Sequence, residues 1–275
     1  MTTATPTPTA TEQAYTFERH MTQGTYGVEA NGRSYELPSA TAALSMEHKE
    51  ALMPWAAKEQ RDWDIKQAVA VHGDMVNEQT TEGFEVRLLS RIGRTFAYTA
   101  TSREATTIGS QAHHFIEWIL RQRLGANFDH PPDVSPEALV CVNGFSQWAQ
   151  EANLKPRLIE ETVCSLPKNP KQRYAGTMDL YADVNGIPTV VDFKSSKALY
   201  PGNRVQVACY MHALKSMGHG EEPQQGMVVR LNKDASNPGF EVQTVTLEEV
   251  PALMEVFYAL LHVWHWKHPK RIPND

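Results

Sequence analysis

Cysteine is the scarcest chemistry in this chain. Cys141, Cys164 and Cys209 stand far apart among 275 residues, an odd number that builds no disulfide framework and points to a reducing compartment. A four-cysteine iron–sulfur cluster within one chain is excluded by the same count. No run approaches the roughly 18–20 apolar residues that cross a bilayer. The opening MTTATPTPTATEQ has neither the basic start nor the apolar stretch of an export signal, so a cytoplasmic chain without membrane contact is expected. No G-x-x-x-x-G-K-S/T stretch occurs, which excludes a motor of that type. Positive charge is short too: 26 Lys and Arg face 32 Asp and Glu, a formal net charge of −6. A polyanionic partner would have to be met by a local basic lining rather than by the whole surface.

What is present suffices for one substantial core, with 41% of residues hydrophobic and 21% charged. Residues 1–14, rich in Thr, Ala and Pro, read as a disordered tail. Residues 15–275 read as one domain, with a hairpin and helices over 15–105 and a core over 106–275. Asn31-Gly32 between two alternating stretches predicts a type I′ hairpin near residues 25–37. Helices are predicted over Ala40 to His48 and from Pro54 onward, while FEVRLLSRIGRTFAY fits strand and helix alike. Thr106-Thr107 is expected to cap a helix ending at Gly125, and Ser135-Pro136 to start another running to Ala152.

Downstream the hydrophobic period changes to two. RLIEETVCSL, RYAGTMDLYADV and TVVDFKSS read as three consecutive strands, with Asn185-Gly186 turning the second into the third. RVQVACYMHALKSMG reads as a helix, GMVVRLNKD and GFEVQTVTL as strands, and LEEVPALMEVFYALLHVWHWK as the last helix. The sum is an α/β fold, a mixed central β-sheet flanked by helices, with an N-terminal helical region.

Alternate residues of a strand share a face, so VVDFK sets Asp192 and Lys194 side by side. The preceding strand brings Asp179, and the turn at Asn185-Gly186 makes the two strands antiparallel neighbours. D-x-K alone is common as a surface ion pair. Here Asp192 lies inside the apolar run PTVVDF, where an unpartnered carboxylate is costly unless something binds it. Two aspartates suit Mg²⁺ or Mn²⁺, as one or two ions. Lys194 beside them would orient or deprotonate a water, or stabilise developing negative charge. Phosphodiester hydrolysis needs this equipment.

The run YAGTMDLYADVNGIPTVVDFKSSKALYPGNRVQVACYMHAL resembles the RecB-type branch of the PD-(D/E)XK nuclease superfamily. Its G-x-x-D strand is Gly176 to Asp179, its D-x-K strand Asp192 to Lys194, and its Q-x-x-x-Y helix Gln206 to Tyr210. Within that branch the chain is most similar to phage exonucleases and mitochondrial genome maintenance exonucleases. Upstream, Gly109 to His113 matches the branch's G-x-x-x-H helix, and Glu117 follows one turn later.

The resemblance implies a restriction-endonuclease-like core. It also implies metal ligation by His113, Asp179, Asp192 and the backbone carbonyl of Phe193, the imidazole nitrogen favouring Mn²⁺. Catalysis falls to Asp179, Asp192 and Lys194, with Glu117 and Glu160 as further acids. Glu160 is preferred to Glu161, which would point to the other face of the strand. Gln206, Tyr210, and Ser39 and Thr41 of a P-S-x-T segment are implied at the DNA. Ser195, Ser196, Lys197, Arg204, Arg173 and Lys171 cluster in sequence around the site as further contacts.

The expectation is a metal-dependent DNA exonuclease acting on single-stranded or frayed duplex ends in recombination, replication or genome processing. Its expected partner besides DNA is a phage or host recombination or single-strand-binding protein, met in the host cytoplasm if the chain is phage-encoded. Two alternatives share these residues: a structure- or sequence-specific endonuclease, and a catalytically silent nucleic-acid-binding protein of the same fold.

Overall fold

Both Asn-Gly pairs take the left-handed backbone that a type I′ turn demands: φ is 54° and 73° at Asn31 and Gly32, and 52° and 83° at Asn185 and Gly186. The first pair joins β2 (Thr25–Ala30) to β3 (Arg33–Pro38) beside an outer strand β1 (Tyr15–His20), which the sequence reading missed. Then come α1 (Ala40–Leu44), α2 (Leu52–Asn77), α3 (Phe84–Ile92), α4 (Ala97–Arg123) and α5 (Pro136–Glu151). The second pair joins β5 (Tyr174–Val184) to β6 (Ile187–Lys194), after β4 (Lys155–Ser165). The chain closes with α6 (Pro201–Met217), β7 (Gln225–Leu231), β8 (Phe240–Thr246) and α7 (Val250–Lys267). This computed structural model describes residues 15–20, 24–47, 52–77, 84–92, 96–128, 130–218, 220–233 and 239–271, so the expected tail lies outside the described residues.

The chain divides into two units. The larger, residues 1–47 with 111–275, holds the hairpin and the main sheet; the smaller is residues 48–110. The main sheet has five strands in the order β4-β5-β6-β7-β8, antiparallel except for the parallel pair β6 and β7, which α6 connects. It is the mixed, helix-flanked sheet expected from the sequence. Val190 and Tyr181 face the cluster that β5 and β6 share with α6 and α7. Phe193, on the other face, meets Phe145 and Trp148 of α5 edge-on at 5.4 and 5.7 Å. Full burial of such side chains contributes about 1.5–3 kcal/mol each. Tyr174 and Phe257 anchor the α7 side at 4.6 Å. The three cysteines are free and buried.

In the smaller unit α2 and α3 pack together, and Arg91 reaches back to Asp74 and Gln67. The ambiguous FEVRLLSRIGRTFAY stretch is thus helical over Phe84–Ile92, and α4 begins again at Ala97, whose N–H donates to Gln60 Oε1 at 2.8 Å. The expected cap at Thr106-Thr107 is overturned, because α4 runs straight through it. Thr106 and Thr107 donate their hydroxyls back to the carbonyls of Ser102 and Arg103, the arrangement threonine takes inside a helix. By contrast Ser135 caps α5 as expected, accepting from Ala138 N at 3.2 Å. Among the described residues no helix is long and apolar enough to cross a membrane.

Candidate metal and active centre

Pairing along the β5–β6 hairpin is regular from Val184 and Ile187 to Leu180 and Val191. One step further in the same register, Asp179 would face Asp192. The ladder stops there. Asp179 Oδ2 accepts the backbone N–H of Phe193 at 2.7 Å, while β6 runs on beside β7 as far as Lys194 and Arg230. The strands therefore part where each carries a carboxylate.

Asp192 is 1% exposed, and its Oδ2 lies 2.6 Å from Lys194 Nζ yet has no partner in proper hydrogen-bonding geometry. Burial pushes its pKa up to about 6, against the pull of Lys194 and with the repulsion of Asp179. Burial alone would lower the Lys194 ammonium, but Asp192 and Asp179 outweigh it and hold its pKa above the ordinary lysine value. An underpartnered charged oxygen in the interior costs more than about 1–3 kcal/mol, and a cation placed beside it removes that cost.

Glu160 stands on β4 between Ile159, paired with Leu180, and Glu161, paired with Met178, which sets it across from Asp179. Its φ of 51° is left-handed, a conformation costing a non-glycine residue roughly 1–3 kcal/mol that persists only where the surroundings enforce it. Burial, then the charges of Asp179 and Glu117, push its pKa up to about 8, with Arg121 and Arg19 pulling back too weakly. α4 completes this side. His113 Nδ1 is 3.7 Å from Asp179 Oδ2, and the His113 ring stands edge-on to Phe193 at 6.3 Å. Glu117 is committed to Arg121 at 2.7 Å, and Arg121 also donates to the Ile159 carbonyl, tying α4 to β4.

One ligand atom each from His113, Glu160 and Asp179 lies within 4.8 Å of the other two. These three are placed to hold a metal ion, and two carboxylates with one imidazole fit a hard divalent cation such as Mg²⁺ or Mn²⁺. Asp192 is not one of the three, since its Oδ2 is turned to Lys194.

The motif glycine and the motif tyrosine meet. A Cβ at Gly176 would lie 2.7 Å from Tyr210 Cε1, so the glycine is needed for space rather than for backbone freedom. Tyr210 and Gln206, both buried, are joined by Gln206 Nε2 donating to Tyr210 Oη at 2.9 Å. Burial and then Asp192 raise the Tyr210 phenol well above its ordinary pKa. On the far side of Gly176, Ser39 bridges to Ala175 and accepts from Ala42 N at 3.0 Å. Ser39 and Thr41 line a cleft of about 230 Å³ with Arg19, His20 and Tyr26.

Of the other expected contacts, Ser195, Ser196 and Lys197 directly follow Lys194 at the end of β6, whereas Arg204 lies on α6 and Arg173 just before β5. Arg204 is paired with Glu249 at the start of α7, and Ser196 donates to the Ala198 carbonyl at 2.7 Å. Ser195 is half-buried just after β6, and Lys197 is exposed, its carbonyl 3.5 Å from an Arg230 nitrogen. Arg173 lies over the Tyr35 ring at 5.4 Å and donates to the Pro167 carbonyl. It sits roughly 20 Å along β5 from Asp179 at the usual strand rise.

Sequence reasoning missed several neighbours. Tyr26 Oη, Thr177 Oγ1 and Thr162 Oγ1 form a chain with steps of 2.9 and 3.1 Å, Thr177 standing two residues before Asp179 on β5. Arg121 was legible, being one turn from Glu117. Arg19 carried no local signal.

No protein-family model and no curated protein matches the chain. Among solved structures it is similar to a protein of Eubacterium rectale provisionally named an exonuclease, at 13% identity and TM-score 0.42 over 62% of this chain and 70% of that one. It is also similar to an alkaline exonuclease from Laribacter hongkongensis, at 11% identity and TM-score 0.32 over 55% of this chain and 80% of that one. A third solved protein, whose name states no activity, matches at 14% identity and TM-score 0.29 over 46% of this chain, which spans only 62% of its length. Likenesses of this size carry no weight beside the chain's own geometry. What that geometry shows is a five-stranded mixed sheet flanked by helices, with a single parallel pair reached through α6 and the motif carboxylates where its central hairpin opens.

Proposed function

We propose that the chain is a divalent-metal-dependent deoxyribonuclease that hydrolyses phosphodiester bonds from DNA ends. The observation that carries this reading is the parting of β5 and β6 at Asp179 and Asp192, with Glu160, His113 and Lys194 drawn in around the gap. A fold gains nothing from crowding three carboxylates and straining Glu160 unless something binds there.

Bound Mg²⁺ or Mn²⁺ supplies neutralising charge for the scissile phosphate and an acidified water. His113, Glu160 and Asp179 would hold it, and Asp192 and the Phe193 backbone carbonyl are the further ligands the resemblance implies. Asp192 keeps Lys194 Nζ in place, and Lys194 donates to the attacking water or to the phosphate oxygen that gains charge. Glu117, held by Arg121, fixes the turn of α4 that carries His113. Gln206 and Tyr210 form the wall against which the D-x-K strand rests. Ser39 and Thr41, with Arg19, supply the hydroxyls and charge of a cleft that seats the DNA backbone. Ser195, Ser196 and Lys197 adjoin the strand end as further backbone contacts. Buried reduced thiols support a cytoplasmic setting, and a recombination or single-strand-binding protein is the partner suited to such an enzyme.

Linear and closed circular DNA, labelled separately at the two ends and incubated with Mg²⁺ or Mn²⁺, tests the reading. Loss of label from linear DNA and survival of the circle are expected. Cleavage of the circle would make the chain an endonuclease, and no cleavage of either would overturn the proposal.

A further inference from the structure

Two segments of the larger unit, far apart in sequence, carry cations and no acid. One is the β4–β5 connection, SLPKNPKQR; the other is the end of α7 and the turn after it, HVWHWKHPKR. They pack together, α7 lying on the single turn Pro170–Gln172. Lys168, Lys171, Lys267 and Lys270 are exposed, and among the described residues none of them pairs with a carboxylate. In the same unit Arg121, Arg157, Arg204, Lys215 and Arg230 do pair, while the exposed Lys155 and Lys197 are, among the described residues, single unpaired cations rather than a group. Burial, and then Lys171, hold the His265 imidazole beneath the strip below its ordinary pKa, as a positive field should.

Directly before Lys267 in the second segment, Trp266 is 75% exposed. Its neighbours on α7 are accommodated by the fold: Trp264 is buried and stacks on His268 at 4.6 Å. The negative end of the α7 dipole favours cations in the last turn. It accounts neither for the lysines from the β4–β5 connection nor for a bare indole.

We propose that this strip is a second nucleic-acid contact, where single-stranded DNA lies along the lysines with a base stacked on Trp266. Lysine charge following a backbone and an aromatic platform for a base are the two parts of sequence-tolerant single-strand binding. The strip begins at Arg173, roughly 20 Å along β5 from Asp179 at the usual strand rise. It therefore grips only strands long enough to reach from it to the metal centre. The proposal rests on the nuclease reading and deepens it, making long single strands the preferred substrate.

The test uses the full chain and labelled single strands of about 30 and about 4 nucleotides, the long one exceeding and the short one falling at the lower bound of common site sizes. Binding is measured with metal chelated, and cleavage with Mn²⁺ present. Trp266→Ala should weaken binding of the long strand about 5- to 100-fold, with Trp266→Phe restoring most of it. The triple variant Lys168→Gln, Lys267→Gln, Lys270→Gln should lower the slope of log affinity against log salt by about 0.7 per lysine. Every variant should cleave the short strand at the wild-type rate, and thermal unfolding should be unchanged because the replaced side chains are exposed. Wild-type affinity and salt slope for the long strand in these variants would overturn the proposal. So would equal losses at both lengths, or losses seen only with anionic lipid vesicles. Failure of the nuclease reading looks different: the wild-type chain would cleave neither length.

Discussion

Asp179 and Asp183 stand on the same strand with similar side-chain exposure, 16% and 22%, and meet opposite fates. Asp183 is closed off. Arg157 lies 2.5 Å from its Oδ1 and reaches Glu221 with its other nitrogen, and the ladder around it is intact, Asp183 facing Pro188. Asp179 has a backbone N–H and a nearby imidazole, but among the described residues no lysine or arginine pairs with it. Its strand leaves the ladder, and a second acid faces it in a strained conformation. At one end of the hairpin the carboxylate is closed by an arginine; at the other Asp179 faces Glu160 with no arginine or lysine paired to it among the described residues, the arrangement the proposed metal site needs.

Substitutions at the two ends should separate these roles. The largest effect is expected at the open end, where Asp179→Ala or Asp192→Ala should reduce metal-dependent DNA cleavage by roughly 10²–10³-fold or more while circular dichroism shows an intact fold. Next is Gly176→Ala, whose methyl group collides with the Tyr210 ring. It should destabilise the protein by about 1–3 kcal/mol and lower activity as Tyr210 shifts, read from denaturant unfolding and DNA cleavage.

A carboxyl whose folded pKa is raised contributes stability that is present below its unfolded pKa and lost as pH rises through the folded one. Glu160, raised to about 8 from an ordinary 4.5, should therefore weaken the metal-free protein progressively across that window. Glu160→Gln should remove the loss, raising the metal-free Tm above pH 8 by about 2–4 °C for each kcal/mol relieved. A Tm that stays level or falls would contradict the crowding of charge at the open end. The smallest effect belongs to the closed end: Arg157→Ala should cost about 1 kcal/mol or less and leave metal affinity unchanged.

Much of this was legible in the sequence. Asn185-Gly186 with period-two flanks sets the hairpin register, and from it Asp179, Asp192 and Lys194 fall together. The opening of the ladder was not legible, because register reasoning extends a hairpin until a breaker residue appears, and none lies over Met178–Val184 of β5 or Thr189–Lys194 of β6. Nor was the left-handed φ of Glu160, which nothing in the propensity of glutamate announces and which the surrounding packing imposes. The α3–α4 region failed for a different reason: Val86, Leu88 and Leu89 suit a helix and a strand equally, so pattern alone could not choose. Sequence proximity marks Arg204 and Arg173 as phosphate contacts but does not show their intramolecular partners, Glu249 at the start of α7 for one and the Tyr35 ring for the other.

Calorimetric titration of Mn²⁺ into the wild-type chain, Asp179→Asn and Asp183→Asn tests the contrast most directly. Each replacement removes one charge from the same strand. Saturable binding by the wild type and Asp183→Asn, and its loss in Asp179→Asn, is the predicted result. Equal binding by all three proteins, or none by the wild type, would contradict it.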